Sequence, residues 1–132
     1  MTSTAGMLPP GCACGYAGQD RLVQLLSGIS LGMGACLLAP TRASRLFGLG
    51  DRPVLVTAIA ARDLTIGLGL VGLLPGSTRR WLYVHAAADI LDGMFVTRSL
   101  HRGTIARSRG LAWLALAGGG ALAALTSAAR GR

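Results

Sequence analysis

Residues 85–93 read HAAADILDG, and three side chains in this stretch can exchange protons: His85, Asp89 and Asp92. At 100° per residue, the i, i+4, i+7 spacing places them within an arc of about 60° on one face of a helix. A carboxylic acid beside a carboxylate, with an imidazole one turn away, is an acid–base arrangement: one group donates a proton while its neighbour accepts one. Leu82 and Val96 extend the same stripe towards both ends, whereas Val84, Ala88, Leu91 and Phe95 form an apolar opposite side. Two further charges, Arg62 and Asp63, interrupt another apolar run upstream.

The runs that must carry these residues are long and nearly free of charge. Leu22–Ala39, Val54–Leu74, Trp81–Thr97 and Gly110–Ala129 each have the length of a membrane span, which needs about 17–25 mostly apolar residues. The predicted fold is therefore all-α: a bundle of four transmembrane helices over 22–39, 54–74, 81–97 and 110–129. Residues 1–20 read as a disordered N-terminal tail and 21–130 as a single four-helix domain. The connections are short, which favours antiparallel neighbours. An aqueous four-helix bundle would show a polar face on every helix, and the first and fourth runs have almost none.

Composition agrees. Of 132 residues, 52% are hydrophobic and 14% charged, against about 25% charged in a typical soluble domain. The net charge of +8 comes entirely from arginines among the basic residues, and these cluster between the apolar runs rather than along one face with interleaved aromatics. That distribution argues against nucleic acid and for anionic lipid headgroups as partners. Arg42, Arg45, Arg52, Arg98, Arg102, Arg107 and Arg109 would lie on one side of the membrane; Arg21, Arg79, Arg80, Arg130 and Arg132 would lie on the other. By the positive-inside rule, the 40–53 and 98–109 loops face the cytoplasm of a bacterial cell membrane.

The carboxylates are distributed in the opposite way. Asp20 and Asp51 lie in tail and loop, but Asp63, Asp89 and Asp92 fall inside predicted spans. A charge at mid-span costs about 2.5–3.5 kcal/mol on insertion scales, so these groups must face one another, water or a ligand. Arg62 and Asp63 lie near the middle of the second run, level with Asp89 and Asp92 on an antiparallel third, offset by about 2–5 Å along the axis. An Arg62–Asp92 or Arg62–Asp89 pair follows, because the guanidinium fork can hold a carboxylate through two hydrogen bonds. With one arginine against three aspartates, the site is expected to keep one carboxyl protonated or to take up a cation.

Asp89, Asp92, His85 and Asp63 are the candidate catalytic residues. Asp89 and Asp92 form the proposed acid–base pair, His85 is the proton relay, and Arg62 with Asp63 tunes them. Arg62, Trp81 and Met94 are the candidate substrate contacts. No metal or cofactor is implied: Asp-x-x-Asp with an upstream His has no second His/Glu cluster to complete a metal site. Cys12 and Cys14 are badly spaced for a mutual disulfide and lack a zinc-spaced partner pair. Cys36 reads as a small buried residue, and redox chemistry is disfavoured by the lack of Cys-x-x-Cys. Gly28 and Gly32 form a GxxxG pair that would pack against a helix of the same chain or, as a second expectation, of a homodimer.

At ARDLTIGLGL (61–70), preceded by LLAPTRASRLFGLG (37–50), the chain resembles a family of small four-span bacterial and fungal membrane proteins classed as a domain of unknown function. The resemblance covers roughly residues 21–129 and rests on Pro40, Arg42, Arg45, Phe47 and Gly48, then on Arg62, Asp63 and Gly67. It implies a membrane location and a helical fold and supplies no catalytic residues.

The functional expectation is an acid–base enzyme (an isomerase, cyclase or epoxide-opening enzyme) acting on a lipophilic, isoprenoid-like substrate. The alternatives are a proton- or cation-coupled transporter working as a dimer, and an accessory subunit whose polar residues lock helices together.

Overall fold

The computed structural model describes residues 21–39 and 53–130. The tail cysteines, the arginines of the 40–52 segment and the Pro40–Gly48 run lie outside these residues. The described part is all-α, with four helices and no strand: α1 (Arg21–Leu37), α2 (Pro53–Leu70), α3 (Thr78–His101) and α4 (Arg107–Arg130). Each helix overlaps one of the four apolar runs.

The helix ends follow from local chemistry that hydropathy does not register. α2 stops at Leu70, four residues short of the expected 74, because Gly72 adopts a left-handed φ of 80°. The Leu73 amide then donates to the Leu68 carbonyl (3.0 Å) and the Gly72 amide to Gly69 (3.1 Å), the Schellman pattern that closes helices. α3 is longer than the expected 81–97. Ser77 caps its start by accepting from the Arg80 amide (3.3 Å). The same closing pattern ends it: Gly103 has φ 65°, and the amides of Thr104 and Gly103 donate to the Ser99 and Leu100 carbonyls, both at 3.0 Å. Arg98 and His101 occupy the last turn, where cations complement the helix dipole.

The helices associate mainly as two antiparallel pairs, α1 with α2 and α3 with α4, with thinner contacts between the pairs. Glycines set the closest approaches. A side chain at Gly34 would meet the Leu64 amide nitrogen at 2.9 Å and the Ala60 carbonyl at 3.0 Å, so α1 and α2 touch backbone to backbone there. Gly67 faces Leu31 in the same seam, and Ser27 Oγ donates to the Gly67 carbonyl (3.4 Å). In the second pair Gly110 packs against Leu100 and Gly120 against Asp89. Trp81 of α3 lies on Gly69 of α2, joining the pairs.

One core cluster, including Leu26, Ile66, Leu70, Leu82, Ala86 and Ala124, draws on all four helices; a smaller one, Leu37, Val56 and Ala60, seals the far end of α1 and α2. Arg62 and Asp63 lie along α2 between Ala60 of the smaller cluster and Ile66 of the larger one.

Two expectations are corrected. Gly28 and Gly32 have nothing within 4 Å of where a Cβ would stand, so the intramolecular seam of α1 uses Gly34, not the GxxxG pair. Cys36, expected to be buried, is exposed because it shares the outer face of α1 with Gly28 and Gly32. The four expected spans are matched only in part: by length and composition, α4 alone among the described helices qualifies to cross a membrane. α1 is apolar but shorter, and α2 and α3 carry charged side chains within their length.

Candidate functional site

Arg62 lies nine residues after the start of α2 and eight before its end, about 12–14 Å from either terminus at 1.5 Å per residue. Its side chain holds two carboxylates. Nη1 and Nη2 donate to the two oxygens of Asp92, both at 2.7 Å, in the bidentate fork geometry; Nε and Nη2 donate to Oδ1 of Asp63 at 2.9 and 2.8 Å. Asp63 thus folds back beside its neighbour, and a single guanidinium binds a carboxylate of its own helix and one of α3.

His85 and Asp89 form a second unit, one turn apart on α3. His85 Nε2 lies 3.6 Å from Asp89 Oδ2, too far for a hydrogen bond, and it has no other hydrogen-bond partner although the side chain is only 8% exposed. Among the described residues Asp89 has no arginine partner. Its Oδ2 fills the space where a side chain would stand at Gly120 of α4. Gly120→Ala is therefore expected to fold while pushing the carboxylate off its seat. Thermal unfolding checks the fold: the melting temperature should move by only a few degrees, because the displaced atoms are the end of a flexible side chain.

These five side chains form the floor of a cleft of about 290 Å³. Its walls are apolar: Leu25, Ile29 and Met33 of α1 face Trp113, Leu116 and Ala123 of α4. α1 and α4 belong to different pairs and touch only sparingly, so the cleft opens sideways between them. A smaller cavity of about 100 Å³ lies on the other side of the Arg62 clamp, bounded by Leu37, Ile59, Phe95, Val96 and Ile105. Met33 and Trp113 line both cavities.

The sequence-predicted residues Arg62, Asp63, His85, Asp89 and Asp92 come together. Of the two ion pairs expected for Arg62, the one with Asp92 is formed; Asp92 is therefore held by Arg62, and the carboxyl left outside the clamp is Asp89, beside His85. Trp81 and Met94 are not brought to the site. Trp81 is committed to Gly69 and the core; Met94, two residues and so about 200° around the helix from Asp92, points outward at 65% exposure. Met33, Ser30, Trp113 and Gly120 are contributions that charge and periodicity did not pick out. The one available signal was the Gly118–Gly120 run, of which Gly120 alone makes a close contact.

Among the described residues no group of three or more His, Cys, Asp or Glu side chains is arranged to hold a metal ion. No family model, curated protein or solved structure matches the chain.

Proposed function

We propose that the protein is a small integral membrane enzyme that performs acid–base chemistry on a lipophilic molecule, with Asp89 and His85 as the reacting pair. The carrying observation is the cleft: an unclamped carboxyl and an unpartnered imidazole at the floor of apolar walls that open to the side of the bundle. Arg62, Asp63 and Asp92 hold the two helix pairs around that floor.

A membrane setting is supported by the placement of the large apolar side chains. Among the described residues 15 are exposed, while the buried core holds only seven residues larger than alanine. The apolar window of α4 is 28% buried, far less than the core helix of an aqueous bundle. Exposed apolar surface of this extent marks contact with lipid or protein.

The reaction follows from the two groups. Asp89 donates its proton to an alkene carbon or an epoxide oxygen of the substrate, and the substrate becomes cationic. Loss of a proton from another carbon to His85 Nε2 quenches that charge; His85 passes this proton to water and Asp89 takes one up from water, which restores the site. One proton enters and one leaves, so the product is an isomer and no co-reactant is needed.

The test is incubation of the protein, in nanodiscs and in deuterated water, with a panel of prenyl alkenes and epoxides. Solvent deuterium is expected in a rearranged product. Asp89→Asn is expected to reduce its formation by about 10²–10⁴-fold, the usual worth of a positioned acid or base. A panel left unchanged by the wild-type protein overturns the reading.

A further inference from the structure

The floor of the cleft carries more negative than positive charge, and its imidazole is unpartnered. Arg62 balances one carboxylate of the Asp63–Asp92 pair and leaves the other in excess; Asp89 adds a second negative charge whenever its proton has left. His85, nine-tenths buried, lines the same cleft with Nε2 lacking a hydrogen-bond partner. Charge inside an apolar cleft acts strongly because little solvent screens it. A positive group bearing N–H donors satisfies every one of these atoms at once: it donates to Asp89 Oδ2 and to the lone pair of uncharged His85 Nε2, and it cancels the excess charge.

We infer that the cleft is a binding site for cationic amphiphiles, in which a protonated amine rests between Asp89 and His85 while its apolar chain runs out between α1 and α4. This inference deepens the acid–base reading, on which it rests, by giving the sign of the charge that the site stabilises. An ammonium group there stands in for the cationic form of a substrate that Asp89 has just protonated. A neutral alcohol of equal chain length offers one donor and no charge, and so is the poorer ligand.

The probe is dodecylamine, whose ammonium group carries three N–H donors, titrated into the full-length protein in phosphatidylcholine nanodiscs, whose headgroups carry no net charge. Empty nanodiscs correct for partitioning. Trp113 emission reports binding in a Trp81→Phe background, and dodecanol serves as the neutral comparison. Saturable binding of the amine, at least about thirtyfold tighter than that of the alcohol, is expected, because a desolvated charge pair carries that much affinity. Asp89→Asn removes most of the difference, whereas Arg98→Gln, on the exposed outer end of α3, leaves it intact. The amine–alcohol comparison uses the folded wild-type site, so it decides even if Asp89→Asn proves unstable. Equal affinity for amine and alcohol, tighter binding of the alcohol, or an amine affinity equally sensitive to Arg98→Gln overturns the inference. Amine binding without deuterium exchange on the prenyl panel would remove the enzyme reading and leave the cation site standing.

Discussion

Arg62→Gln is expected to cost about 3 kcal/mol, the lower end of the range for removing one partner of a buried ion pair. The lower end applies because the Arg62 side chain is 30% exposed and that of Asp92 39%. The substitution leaves the Asp63 and Asp92 carboxylates facing each other with no cation between them, and it cuts the polar link between the two helix pairs. In a domain of this size the melting temperature should fall by roughly 10 °C. Asp92→Asn alone should cost less, because Arg62 keeps Asp63. The double variant, Arg62→Gln with Asp92→Asn, should be more stable than the sum of the two single losses, because it strands fewer charges. Thermal unfolding of all three proteins in one detergent checks this. An unchanged melting temperature for Arg62→Gln would show that the clamp does not fasten the pairs.

Gly34→Leu is expected to be the most damaging apolar substitution in α1. The obstacle is the backbone of Leu64 and Ala60, which cannot rotate away as a side-chain tip can. The two helices must part along their seam, and overpacking of this kind costs about 1–3 kcal/mol, with the upper end expected where backbone must move. Even Gly34→Ala should destabilise. Gly28→Ala and Gly32→Ala provide the contrast: both positions face open space, so each should be neutral or gain up to about 1 kcal/mol from helix propensity. Melting temperatures of the four variants decide the matter. Equal losses at all three positions would mean that Gly34 is not the seam.

The contrast between these glycines shows where the sequence was legible. Its apolar runs locate the helices because unbroken hydrophobicity leaves few other structures open to them, but it misplaces their ends. Gly72 and Ser77 act through φ and a single capping hydrogen bond, neither of which contributes to hydropathy. The polar site was legible in membership because a charge inside an apolar run needs a partner, and two antiparallel runs charged at their midpoints supply one. Its pairing was not. Asp89 and Asp92 lie on one face, and spacing alone cannot decide which of them the Arg62 fork reaches. The α1 and α4 walls were illegible for a simpler reason: Met33, Trp113 and Gly120 carry no formal charge, and their role depends on which helices become neighbours.

In the membrane setting proposed above, the doubling of Arg62 with Asp63 would bear on how such a chain enters a lipid bilayer. Adjacent opposite charges cancel within one segment, so α1 and α2 would insert together with their mid-helix charges already neutralised by each other. The second pair brings Asp89 and Asp92 with no cation at that depth, and its insertion would be eased by a guanidinium already in place. Order of synthesis and order of charge compensation would then coincide: the segment made first carries the docking point for the segment made second.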